Sequence, residues 1–244
     1  MKNYQRLLLV VVGLFAASDV GAQPGFTKQT ISFQTADGFT IQATLGLPAT
    51  TKERLPAVIL IHQGGSDRTE WTPFFSKLQK ENYVVLAYDV RGHGASDKVK
   101  SVYALFDDPK QAPLDLRAAL QYLRSLSQVD SQRIGVVGAS IGANLACVAS
   151  SEMGVKTAVA MSGKTSAVFN LAGKKLLKLH SIFYIASAGD QGGKRAQWAR
   201  ELYEKTQKPH KIEIVKNSSA HGVSIFDDAP DLANQILAWL RNTL

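Results

Sequence analysis

From residue 28 onward the apolar positions fall into two spacings that take turns along the chain. Segments 28–35 and 39–47 alternate apolar and polar residues around Ala36-Asp37-Gly38, a turn signal, and predict an antiparallel hairpin. After Pro56 the run 57–61 is apolar without a break, as in a strand covered on both faces. Similar runs recur at 83–88, 133–138, 155–161, 181–186 and 211–215. Between them, patterns of helical period occupy 70–81, 113–127, 141–153, 194–205 and 231–240. An antiparallel start followed by strand and helix in alternation predicts an α/β fold, a mostly parallel sheet with antiparallel N-terminal strands and helices on both faces. Such sheets bind ligands beyond the carboxyl ends of their strands. The stretch 162–180 has room for one short helix and its loops, so the spacing predicts one domain over residues 23–244 with no large cap domain.

The first 22 residues follow a different grammar. Lys2 and Arg6 precede an apolar run from Leu7 to Val12, continued by Gly13, Leu14, Phe15, Ala16 and Ala17, and small residues follow at Val20, Gly21 and Ala22. This is the pattern of a secretory signal peptide over residues 1–22, with cleavage after Ala22, which predicts a periplasmic or secreted protein. The run is shorter than the roughly 20 residues a membrane-crossing helix needs, so no transmembrane segment is expected in the mature chain.

Composition narrows the classes further. In 244 residues, 45% are apolar and 20% charged, which excludes a disordered or collagen-like chain, and a single cysteine, Cys147, excludes an internal disulfide scaffold. The formal net charge is +8, but the densest basic cluster, Lys174, Lys175 and Lys178, reads as a solvated face, and no nucleic-acid motif accompanies it.

The chemistry is concentrated in three post-strand loops. Gly138-Ala139-Ser140-Ile141-Gly142 is a Gly-x-Ser-x-Gly pattern between the strand 133–138 and the helix 141–153. At such a turn the serine sits in a strained backbone, and the glycines let strand and helix approach closely. A serine hydroxyl attacks only when a base takes its proton, and that base needs an orienting acid. Of five histidines, His221 lies in the loop after the last strand, His210 and His180 precede strands, and His62 and His93 precede the serine. Asp190 follows the strand 181–186 and lies between Ser140 and His221; Asp115, Asp227 and Asp228 compete for the same role.

Together these residues resemble the alpha/beta-hydrolase family, in particular its small serine esterases and dienelactone-hydrolase-like branch. His62-Gln63-Gly64-Gly65 is similar to the family's oxyanion loop, Asp89-Val90-Arg91-Gly92-His93-Gly94-Ala95-Ser96 to its D-x-R-G-H-G-x-S segment, and the order Ser140, Asp190, His221 to its triad order. The resemblance implies Ser140 as nucleophile, His221 as general base and then acid, and Asp190 as the orienting carboxylate. It also implies an oxyanion hole from the backbone N–H of Ile141 and one from Gln63 or Gly64, with Arg91 and His93 bracing their loop. Dienelactone hydrolases proper use a cysteine nucleophile, and the serine argues against that activity. The implied function is an exported hydrolase of small-molecule carboxylic esters that needs no metal or organic cofactor, with a thioesterase, a serine peptidase or a non-catalytic binding protein on the same scaffold as the alternatives. The stretch 92–112 is too charged for an apolar lid, although Val102, Tyr103, Leu105 and Phe106 form a small apolar wall, so short acyl groups are expected.

Overall fold

The computed structural model describes residues 25–49 and 53–244, so the predicted signal peptide and its cleavage point lie outside the described residues. Eight strands form one sheet: β1 (Phe26–Gln34), β2 (Thr40–Pro48), β3 (Leu55–Ile61), β4 (Val84–Tyr88), β5 (Val129–Ala139), β6 (Thr157–Met161), β7 (His180–Ser187) and β8 (Gln207–Val215). Their order across the sheet is β1-β2-β4-β3-β5-β6-β7-β8. The hairpin β1–β2 is antiparallel, β2 meets β4 antiparallel, and every pair from β4 to β8 is parallel. All eight runs foreseen from apolar spacing are therefore strands.

Two strands start four residues ahead of their apolar runs. β5 opens at Val129, because Val129 pairs with Leu55 ahead of the polar residues Asp130 to Arg133. β8 opens at Gln207 and carries Pro209 in an exposed, polar first half. As the edge strand it needs ladder bonds on one side only, and there a missing proline N–H is tolerated.

The helices α1 (Thr72–Lys80), α2 (Ala112–Ser125), α3 (Ile141–Glu152), α4 (Thr165–Ala172), α5 (Lys194–Glu204), α6 (Ile225–Asp228) and α7 (Leu232–Thr243) fill the intervals. α1 and α7 lie on one face, where Phe74, Phe75, Leu78, Ile236 and Leu240 pack on Val58, Leu60, Val85 and Val137. α2 to α5 cover the other, with Leu116, Leu145, Val168 and Leu202 in the core that includes Ile59, Ile61, Leu86 and Tyr88. Alternate residues of β3 thus feed opposite cores. Each such aliphatic side chain contributes about 1.5–3 kcal/mol on burial, which explains a strand with no polar residue on either face. The interval between β6 and β7 holds α4 alone, so this connection inserts no cap domain.

α3 is the most enclosed helix: every residue from Ile141 to Ser150 is buried. Glycine permits this depth. A Cβ on Gly142 would lie 2.2 Å from the Ile61 carbonyl oxygen, and one on Gly138 would lie 2.0 Å from the carbonyl oxygen of Gly142. The helix therefore begins hard against β3 and β5, and its first residues emerge in the middle of the row of strand ends.

Candidate active site

Because β3 to β8 run parallel, the residues after each strand share one edge of the sheet. His62–Gly65 follow β3, Asp89–Ser96 follow β4, Ser140 follows β5, Ser162 follows β6, Asp190 follows β7 and His221 follows β8. Sequence spacing had singled out residues from five of these six loops.

Ser140 is the residue immediately before α3, with φ 53° and ψ −108°. For a residue with a Cβ this backbone is strained by about 1–3 kcal/mol. It is held there by both flanking groups: its N–H donates to the Met161 carbonyl at 2.8 Å, and its carbonyl accepts from the Asn144 N–H at 3.2 Å. Its side chain is largely covered, with 8% exposure. The next N–H, that of Ile141, belongs to the first turn of α3, whose amides have no partner within the helix.

Asp190 Oδ2 lies 2.7 Å from His221 Nδ1, so Asp190 is the carboxylate that meets this imidazole. Two of the three competing acids are engaged elsewhere. Asp115 accepts from the backbone N–H and the Nε of Arg91, and Asp228 accepts from the Ser218 hydroxyl at 2.6 Å. Since Ser218 spends its one proton on Asp228, it accepts from Ser187 at 2.8 Å and from the Ala220 N–H at 3.1 Å. That chain stitches the end of β7 to the loop that carries His221.

A further residue enters here that sequence reasoning missed. Ser162, fully buried and held at φ 57°, donates its hydroxyl to Asp190 Oδ2 at 3.0 Å and accepts the Gly222 N–H at 3.1 Å. Its carbonyl accepts from Arg195 Nη1 at 2.8 Å. Burial lowers the pKa of that guanidinium, and the charge of Asp190 opposes the shift. The one sequence signal was position: Met161-Ser162-Gly163 ends a strand on the same edge.

The loop after β3 is fixed at several points. The Val90 N–H donates to His62 Nε2 at 2.9 Å, so the ring proton is on Nδ1, which donates to the Gln63 carbonyl at 2.8 Å. Burial pushes the His62 pKa down to about 4, which leaves the ring neutral and committed to bracing. The Gln63 N–H donates to Glu70 Oε1 at 2.9 Å and is therefore taken. The Gln63 side chain reaches the other loop, where a Cβ on Gly222 would lie 1.9 Å from its Oε1. Gly64 is covered by the Phe106 ring, whose Cζ would be 3.0 Å from a Cβ at that position.

With this geometry in place, comparison with known proteins is direct. A sequence model of the alpha/beta hydrolase fold matches residues 56–226, well over half of the chain. The chain belongs to the alpha/beta hydrolase fold family. An uncharacterised protein of Mycobacterium tuberculosis is 34% identical over 92 residues, covering 37% of this chain and 24% of that one. The chain thus spans about a quarter of the length of the curated relatives it first matches. Among solved structures, the Pyrococcus furiosus esterase Pf2001 superposes with a TM-score of 0.70 at 23% identity, covering 89% of this chain and 93% of that one. The acetyl xylan esterase of Paenibacillus sp. R4 superposes with a TM-score of 0.74 at 16% identity, covering 96% and 88%.

In this alpha/beta hydrolase the segment after β4 is a brace. Arg91, fully buried, forks onto Asp37 at 2.6 and 2.9 Å, reaches Asp115 with Nε at 2.7 Å, and lies 4.2 Å from the Phe39 ring centre. The guanidinium holds the Asp37 carboxyl below the usual carboxylate range. One side chain thereby ties the β1–β2 turn to α2. Asp89 accepts from the N–H groups of Arg68 and Ala95, both at 2.8 Å, and pairs with the Arg68 guanidinium. His93 Nδ1 stays with the Arg91 carbonyl at 3.3 Å. Cys147 lies inside the core, where burial pushes its thiol up to about 12 and keeps it protonated. Among the described residues no group of three or more His, Cys, Asp or Glu is arranged to hold a metal ion, and no helix is long and apolar enough to cross a membrane.

Proposed function

We propose that this alpha/beta hydrolase is an exported serine esterase in which Ser140 is the nucleophile, His221 the general base and Asp190 its orienting acid. The observation that carries the reading is the 2.7 Å contact of His221 Nδ1 with Asp190 on the edge where Ser140 occupies a strained turn. Asp190 holds the proton on Nδ1 and leaves Nε2 as the acceptor. As Ser140 Oγ bonds to the acyl carbon, its proton passes to Nε2 and the carbonyl oxygen becomes an oxyanion. His221 then returns that proton to the departing alcohol. A water, activated by the same nitrogen, releases the acid and restores Ser140.

The oxyanion needs two donors. Ile141 supplies one N–H at the start of α3. Since the Gln63 N–H is held by Glu70, the second donor in this reading is Gly64. Each such donor accounts for about 3–4 kcal/mol of barrier lowering. The Phe106 ring over Gly64 limits the space beside that donor and supports short acyl groups. In this reading residues 1–22 direct export and are removed after Ala22.

A fluorophosphonate tests the core of the proposal: one adduct is expected, on the peptide containing Ser140. Labelling elsewhere, or a Ser140→Ala protein with undiminished ester turnover, overturns it. A panel of esters of rising acyl length, beside a thioester and an aminoacyl amide, tests the substrate class, with the highest kcat/KM expected for short acyl esters. The intact mass of the protein recovered from an envelope fraction tests the cleavage after Ala22.

A further inference from the structure

The strand ends opposite the candidate site carry a pattern of their own. Because β6, β7 and β8 are parallel, the residues that enter them share one edge, a strand's length of about 17 Å from the edge that carries Ser140. Six exposed lysines stand there: Lys156 before β6, Lys174, Lys175 and Lys178 before β7, Lys205 before β8 and Lys208 near its start. Only Lys174, Lys175 and Lys178 are close together in the sequence; the fold brings in the rest. The Lys178 N–H donates to the Ser151 hydroxyl at 3.0 Å, and the Gln207 N–H donates to the Leu179 carbonyl at 2.8 Å, which joins these segments. Lys174, Lys175 and Lys205 line one open cleft of about 600 Å3.

The neighbouring acids leave this edge positive. Glu152 pairs with Lys174, Asp107 in the cleft accepts from the Asn170 amide at 3.1 Å, and Glu204 is exposed beside Lys205. From among the lysines Leu176 projects at 88% exposure, the most exposed large apolar side chain among the described residues. An apolar side chain ringed by cations matches an anionic bilayer, whose phosphates meet the lysines while its acyl boundary takes the leucine. An acidic polysaccharide or a nucleic acid would meet the lysines and leave Leu176 in water. Lysine also suits a diffuse layer of charge, being a flexible point charge rather than the fixed fork of arginine.

We propose that the edge where the chain enters β6, β7 and β8 is a docking surface for an anionic lipid bilayer, with Leu176 seated at the headgroup boundary and the lysines against the lipid phosphates. A protein docked this way keeps Ser140 and the loops around it on the far edge, toward water. The surface therefore holds the chain at a membrane without covering the candidate site. The inference stands apart from the esterase reading, because binding is measured without turnover.

Co-sedimentation with vesicles tests the proposal, using the chain from Gln23 onward, which keeps every described residue and omits the apolar run of residues 7–17. Vesicles of equal parts phosphatidylglycerol and phosphatidylcholine are expected to bind the protein, and vesicles of phosphatidylcholine alone are not. The combined variant Lys175→Gln, Lys178→Gln, Lys205→Gln should bind about 100-fold more weakly, roughly fivefold per lysine, with a flatter dependence on salt. Leu176→Ser should weaken binding about tenfold and leave the salt dependence as it was. Tyr103→Ser changes another exposed side chain, on the turn whose Phe106 covers Gly64 at the opposite edge, and should leave binding unaltered. All are surface changes expected to keep the urea midpoint of the parent. Equal binding to both vesicles, or binding that survives the lysine changes, overturns the proposal. So does a loss with Tyr103→Ser that Leu176→Ser does not share, since the membrane then meets the site edge. Vesicle binding that is displaced by dextran sulfate and indifferent to Leu176→Ser assigns the lysines to an acidic polymer and overturns the bilayer.

Discussion

The Ser162 hydroxyl stands 3.0 Å from Asp190 Oδ2, the same oxygen that meets His221 Nδ1 at 2.7 Å. The hydroxyl also receives the Gly222 N–H, so a single side chain at the end of β6 joins the acid to the loop of the imidazole. In the proposed mechanism Ser162 is a positioning residue: it takes no part in bond making at the acyl carbon, but its hydrogen bond sets the direction of the carboxylate. Ser162→Ala is expected to lower kcat about 10- to 100-fold, the loss of a buried hydrogen bond to a charged group, with KM held. The same variant strands the Gly222 N–H and should lose about 1–3 kcal/mol of stability. Steady-state kinetics and urea unfolding check both.

Asp190→Asn separates charge from shape. The imidazolium loses its charged partner and its tautomer control, and kcat is expected to fall about 10³- to 10⁴-fold. Buried Arg195 loses the charge that supports its own protonated form, so the variant should also melt earlier. Full activity in Asp190→Asn moves the role to another carboxylate.

Ser140→Gly should be more stable than the parent protein. Glycine adopts φ 53° and ψ −108° without the strain of about 1–3 kcal/mol that serine carries, while its freer unfolded chain costs about 0.5–1 kcal/mol. A gain of about 1 kcal/mol with complete loss of ester turnover is expected, measured by denaturant titration. A destabilised Ser140→Gly contradicts the strained-turn account.

Gly142→Ala tests the close approach of α3 to β3. The added Cβ lies 2.2 Å from the Ile61 carbonyl oxygen, a backbone atom that cannot move aside alone. Overpacking of this kind typically costs about 1–3 kcal/mol or more. The variant should therefore unfold at lower denaturant concentration, and because the helix start shifts with it, the Ser140 turn should lose activity as well.

Stability should fall as pH drops below 7, and His62 sets part of the slope. Its pKa in the folded protein is lowered to about 4, whereas in the unfolded chain it is about 6.5. Between those values the unfolded chain binds the proton that the folded protein refuses, so the stabilisation is complete above pH 6.5 and is lost as pH falls toward 4. The contribution between pH 7 and pH 5 is about 2 kcal/mol. Urea unfolding at both pH values measures it, and His62→Gln should flatten the slope even where it lowers stability overall.

Sequence spacing alone determined the strands, the fold class and the serine at the turn, because these are written in short-range patterns. An apolar run of five residues reports burial on both faces, and Gly138 and Gly142 around Ser140 report a tight strand-to-helix turn. Chain order was also enough to separate Asp190 and His221 from most competitors. The limits of β8 were not legible, because Pro209 reads as a breaker until the strand is known to be at an edge. Four residues of α6 are too few to show a period. The role of Ser162 was hidden for a deeper reason: its partners Asp190 and Gly222 lie 28 and 60 residues further along the chain. The engagement of Gln63 by Glu70 spans only seven residues of the connection after β3, but a side chain turning back onto a backbone N–H leaves no periodic trace in the sequence. Periodicity encodes which face of an element is covered, but a hydrogen bond between loops depends on where the folded sheet delivers each strand end, and that was decided by tertiary structure alone.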